Sequence, residues 1–237
     1  MAESETRRAH RFGKAEAQAF ISLAIVLAIM IAAMFGAAGT WDWPRGWTFF
    51  GAYCALTFIA CVWLWIANPE LFAARAKMQA GTKGWDKILT VVLIFSYFTI
   101  FPISALDDAR FRWAPQPDSV VIFGHVLFAA GFLGFTWASS VNRNFEATVR
   151  IQTDRGHKVV DKGPYAVVRH PGYIFAILMT IGMPLAMGSL YGLIPAAAMV
   201  VMVLIRTLAE DATLKAELPG YKDYAARVKH RWIPGVF

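Results

Sequence analysis

Four stretches of the chain, 19–38, 47–67, 88–106 and 120–138, contain no Asp, Glu, Lys or Arg. Each has about the 20 residues that an α-helix needs to cross ~30 Å of hydrocarbon. A fifth apolar stretch, 174–205, is too long for one crossing and is interrupted by Pro184, Gly188 and Pro195. Proline and glycine break helices, so this stretch predicts two shorter helices folded into a hairpin. The pattern is that of an all-α, polytopic transmembrane bundle of about six helices, the last two a hairpin that crosses wholly or in part. A polar helical segment follows on the cytoplasmic side. Three regions result: an N-terminal arm (1–18), four transmembrane helices (19–138), and a remainder (139–237) in which the polar residues concentrate.

Composition agrees with the pattern. Hydrophobic residues make up 57% of the 237, charged residues 16%, and mean hydropathy is +0.47, well away from the balance of a soluble domain. The first span has too long an apolar core for a cleaved signal and is expected to stay. Twenty of the 23 Lys and Arg fall on one set of helix ends; only Arg45, Arg110 and Arg112 fall on the other. Basic residues mark the cytoplasmic side, so a multi-pass protein with both termini cytoplasmic is expected. That asymmetry accounts for the net charge of +7 without nucleic acid, because the cations follow the membrane rim. The arm carrying Arg7, Arg8, His10, Arg11 and Lys14 is read as an anchor on anionic membrane lipids. Oligomeric state leaves no signal in the pattern.

Several residues inside the spans have bland explanations. Cys54 and Cys61 are seven apart on one helix, about 10 Å along its axis, and cannot bridge; no metal site is expected either. His125 within the fourth span is either a buried proton relay or, the preferred reading, a helix-to-helix hydrogen bond. Trp41, Trp43, Trp47 and Trp113 fall near span ends and read as interfacial anchors. Gly124, Gly131 and Gly134 mark close helix packing or a gap.

Chemistry begins at Asn144. The segment 142–169 is long for a connector and delivers Tyr165, Arg169, His170 and Tyr173 to the membrane interface, with Pro171 suited to a helix's first turn. The N–H groups of that helix start, with Arg169 and His170, are suited to holding a carboxylate or phosphate. After the hairpin, Arg206 and Glu210 stand four apart on one helix face, as a site pair or a plain ion pair.

Together, "GHKVVDKGPYAVVRHPGY", the later Arg206, Glu210 and Asp211, and "GYKDYAARVKHRWIPG" resemble the isoprenylcysteine carboxyl methyltransferase family of membrane enzymes. The resemblance covers residues 144–237. It implies S-adenosylmethionine as methyl donor, bound by His157, Lys158, Val159, Val160, Tyr165, His170, Pro171, Gly172, Tyr173 and Glu210. It also implies that Arg206 faces the methyl acceptor, a lipidic or small molecule such as a prenylcysteine-like carboxylate. Two positions depart from the family's pattern: Asp211 replaces a glutamate and Arg150 a glutamine. The alternative is an NADPH-dependent membrane reductase of the sterol-reductase type, which shares the Arg-His-Pro-x-Tyr box and a tail like Tyr221, Tyr224, Arg231 and Pro234.

Overall fold

A computed structural model describes residues 14–68 and 81–237. The cationic arm residues Arg7, Arg8, His10 and Arg11, and Arg75 and Lys77 of the second loop, lie outside the described residues. Among the described residues seven α-helices are formed: α1 (Lys14–Ala38), α2 (Pro44–Ala67), α3 (Gly84–Ala105), α4 (Asp118–Val141), α5 (Pro171–Ala186), α6 (Leu193–Glu217) and the short α7 (Tyr221–Arg227). Among the described residues there is no strand. Of these helices, five are long and apolar enough to span a membrane, and α5 is a shorter apolar helix of 16 residues. The protein is thus a multi-pass helical membrane bundle.

The helices extend past the charge-free stretches because the rim residues that begin and end them still favour helix. Pro44 and Pro171 sit in first turns, where a missing N–H costs nothing. The hairpin breaks where the sequence indicates: α5 ends two residues after Pro184, Gly188 turns at φ +80°, and α6 starts before Pro195. A buried carboxylate holds that turn. Asp107, in a π-helical turn after α3 (Leu106–Phe111), accepts hydrogen bonds from the Ser189 hydroxyl (2.7 Å) and from the Leu190 and Tyr191 N–H groups (3.1 Å each). The hairpin therefore reaches the same end of the bundle as the start of α2 and the end of α3. There, Arg45 joins Asp108 (2.8 Å) and Asp118 (2.6 Å).

The glycines of α4 serve packing, not a gap. A Cβ on Gly131 would stand 2.3 Å from the Met179 backbone nitrogen of α5, and one on Gly182 would stand 2.4 Å from that of Phe128 on α4. Small residues facing each other let α4 and α5 approach backbone to backbone. Two local expectations are corrected. Trp43 is 3% exposed and donates its indole N–H to Asp108 (2.7 Å), so it is a core residue, while the exposed Trp41 stacks on Phe35 and the exposed Trp47 lies tilted against it. His125 bonds through Nδ1 to the Val121 carbonyl one turn back on its own helix (2.9 Å), not to a neighbouring helix.

The core of the bundle fills its far half with Phe49, Tyr53, Phe101, Phe128 and Met183. At the opposite end the helices α3, α4, α5 and α6 are not filled by side chains. The space they leave is the site.

Candidate functional site

A cavity of ≈ 400 Å³ opens at this end between the helices and the polar segment 142–160, within the 300–1,000 Å³ range of small-molecule sites. Its deep part is apolar, with Leu93, Phe98, Phe135, Ala176, Met179 and Val203. Ile94 both lines it and is 53% exposed on the outer face of α3, so on this side the apolar part meets the bundle's lipid-facing surface. The outer part is polar and mixed in charge. His157, Lys158, Val159, Val160, Tyr165, His170, Gly172, Tyr173, Arg206 and Glu210 all line it. Pro171 does not; it opens α5 between its lining neighbours.

Each element delivers its residues for a local reason. Gly163 at φ +56° and a 3₁₀ turn over Gly163–Ala166 bring Tyr165 inward, where its carbonyl accepts the Tyr224 hydroxyl (2.7 Å). Gly172 allows Phe145 to pass, since a Cβ there would meet the ring at 2.6 Å. In the loop, Gln152 is 2% exposed; its amide donates to the Asn144 carbonyl (2.7 Å), and its backbone N–H donates to His157 Nδ1 (3.3 Å). An accepting Nδ1 requires a neutral ring with its proton on Nε2. Burial also pushes the His157 pKa down.

The acidic pair of α6 divides its work. Glu210 accepts the Tyr173 hydroxyl, so its charge meets only a neutral partner there. Asp211, 1% exposed, is a structural hub. It takes the Arg169 fork (2.8 and 3.1 Å), Tyr221 (3.0 Å), Lys215 (2.8 Å) and Arg231 (3.2 Å). His170 Nε2 lies 3.3 Å from the same carboxylate, which can only accept, so the imidazole donates there and keeps Nδ1 as its remaining polar atom. Arg169 also donates to the Val228 and Lys229 carbonyls (2.7 and 2.8 Å), and its backbone N–H to His230 (2.9 Å).

Two expectations change. Arg169 is not a free anion holder: its guanidinium ties α5's entry to α6 and the C-terminal segment. Arg206 does not pair with Glu210 either. It contacts Asp86 on α3 (Nε to Oδ1 2.9 Å, Nη2 to Oδ2 3.0 Å) and the Ala147 carbonyl (2.7 Å). Arg150 lines the cavity held between Glu146 (2.8 Å) and Asp154 (2.7 Å), a partnership that raises its pKa. Sequence reasoning did not single out Asp86, Glu146 or Gln152. The spacing Glu146–Arg150–Asp154, each four apart, was the available signal for that network.

The tail residues Tyr221, Tyr224 and Arg231, which the reductase alternative shares, are spent on Asp211 and Tyr165. Residues 119–217, from the first turn of α4 to the last residue of α6, match the phospholipid methyltransferase family. This region is similar to the phospholipid methyltransferases, which belong with the isoprenylcysteine carboxyl methyltransferase-like integral membrane methyltransferases. No curated protein matches the chain. The matched region supplies the walls formed by α4, α5, α6 and the 142–160 segment; α3 and the C-terminal segment, outside the match, supply the rest. The reductase alternative is not favoured by the match.

Proposed function

We propose that the protein transfers a methyl group from S-adenosylmethionine to a lipid-borne acceptor at the cytoplasmic face of its membrane. The observation that carries this reading is one cavity with two chemistries, a polar, charge-mixed mouth and an apolar interior reaching the lipid-facing side of α3, lined largely by a region similar to the phospholipid methyltransferases.

The residues present suit S-adenosylmethionine. It carries a carboxylate, an ammonium and a sulfonium, so a partly dry site must offer both signs and a flat apolar surface. Glu210 offers a carboxylate with no cationic partner of its own on its Tyr173 side, His157 keeps a proton on Nε2, and Lys158 stands exposed at the rim. Val159, Leu214, Leu218 and Tyr221 form an apolar patch suited to an aromatic base. The donor supplies a methyl group already activated by its sulfonium. What the chain must do is exclude water and align the acceptor, and positioning of this kind lowers a barrier by several kcal/mol. Arg206, at the junction of the two parts of the cavity, orients the acceptor.

The test is methyl transfer itself. Membranes containing the protein, given methyl-tritiated S-adenosylmethionine, should place label in the lipid phase, and membranes containing the Arg206→Ala variant should place far less. Label confined to water, equal for both, would count against a lipid acceptor.

A further inference from the structure

The charges around the cavity are almost all paired, and the pairing of Arg206 is the informative one. Glu146 is bound by Arg150, Arg169 by Asp211 and Arg206 by Asp86. Asp86 is 0% exposed and Arg206 9%. Asp86 lies behind Arg206 and does not line the cavity, whereas Arg206 does. One carboxylate oxygen accepts both Arg206 Nη2–H (3.0 Å) and the Val149 N–H (2.7 Å). The other lies 2.9 Å from Arg206 Nε, but the two atoms are not aligned for a hydrogen bond, and neither has another partner among the described residues. One turn on, Thr90 lines the cavity with a buried, unpartnered hydroxyl.

We propose that Asp86 is a positioning and specificity-determining residue of the acceptor site, holding Arg206 in place and cancelling its charge so that the seat formed with Thr90 favours an uncharged, hydrogen-bond-donating head over a carboxylate. The proposal rests on the methyltransferase reading above. Asp86 belongs to α3, outside the region that matches the family. Its two contacts are 63 and 120 residues away, and they join α3 to the loop and to α6. A carboxylate head entering here would leave water to meet an arginine already neutralised and, one turn along α6, the Glu210 carboxylate. A buried anion without a countercharge is strongly disfavoured. A hydroxyl meets neither penalty and can donate to the unpartnered Thr90 oxygen.

The experiment first measures S-adenosylmethionine binding to the purified protein, and then the binding of dodecanol and dodecanoate to the protein free of it, so that the donor's sulfonium lends the carboxylate no countercharge. Failure of the first step overturns the methyltransferase reading; the second step tests Asp86 alone. Wild type should bind the alcohol at least about ten-fold tighter, and Asp86→Asn should narrow that ratio by roughly ten-fold through gained carboxylate affinity, with S-adenosylmethionine affinity held within about two-fold. Asp86→Glu should retain the wild-type ratio. A merely structural role cannot raise affinity for one probe. The proposal is overturned if wild type prefers the carboxylate or binds neither probe. It also fails if Asp86→Asn leaves the ratio unchanged, or lowers S-adenosylmethionine and probe binding alike. Should the Asn variant not fold, the wild-type ratio and the Glu variant decide.

Discussion

Glu210 and Arg206 stand one helical turn apart on α6, yet their surroundings give them different work. Glu210 looks toward Tyr173 and the polar mouth, so Glu210→Gln should weaken S-adenosylmethionine binding by about 1.5–3 kcal/mol, the usual worth of a charged hydrogen bond, as read by calorimetry. Arg206 is held by Asp86 and Ala147 beside the apolar interior. Arg206→Ala should therefore reduce turnover more than cofactor affinity, and full turnover on a verified acceptor would remove it from the site. His157 gives a pH signature. Its folded pKa lies below the ordinary value of 6.5 because the ring is buried, so its stabilising contribution is complete above that value and is lost as pH falls through it toward the depressed one. Protection against hydrogen exchange across residues 144–162, taken relative to the intrinsic rate at each pH, should fall between about pH 7 and pH 5, and His157→Gln should flatten the response. The residues delivered by contiguous motifs, 157–160 and 170–173, were legible in the sequence. Asp86 was not, because a lone aspartate at a span's edge has the look of a rim charge until folding sets it against an arginine 120 residues away.

Elements are joined by a few buried polar contacts, and those are where single changes should matter most. Asp211 links the α5 entry, α6, α7 and the C-terminal segment. Asp211→Ala strands Arg169 in a buried position, a loss expected to cost about 3–5 kcal/mol and to appear as a large drop in melting temperature in detergent. A change confined to cofactor affinity, with melting unaltered, would contradict the hub role. On the α4–α5 contact, Gly131→Leu must push two backbones apart and should destabilise by at least ~1–3 kcal/mol, the usual cost of overpacking; Gly36→Leu, where a Cβ meets nothing within 4 Å, should be tolerated and serves as the control. Helix number, the hairpin and its break points followed from hydropathy and from Pro184, Gly188 and Pro195. The tight α4–α5 pairing did not, since glycine in a span is equally compatible with a gap. The identity of Trp43 as core also needed the structure, because Asp108 has to fold back onto its indole before the ring can be buried.

On the scale of the molecule, the bundle has two unlike ends. One is closed by Asp107, Asp108, Arg45 and the hairpin turn; the other holds the cavity and most of the described basic residues. Basic residues mark the cytoplasmic side, so the cavity is expected to face the cytoplasm, where a water-soluble methyl donor is available. Single cysteines placed at Lys158 and at Trp113 test this: a membrane-impermeant thiol reagent added to intact cells should label the second and spare the first, and the opposite result would invert the topology. The arrangement joins a region that matches the phospholipid methyltransferase family with an α3 wall outside that match, and the cavity lies where the two meet. The central claim is that this cavity holds S-adenosylmethionine. The most direct measurement is calorimetric titration of the detergent-purified protein with S-adenosylmethionine and, separately, with NADPH, using Glu210→Gln as control. Saturable binding of S-adenosylmethionine, weakened in the variant and accompanied by no binding of NADPH, is the predicted result. Binding of NADPH alone, or S-adenosylmethionine affinity indifferent to Glu210, would contradict it.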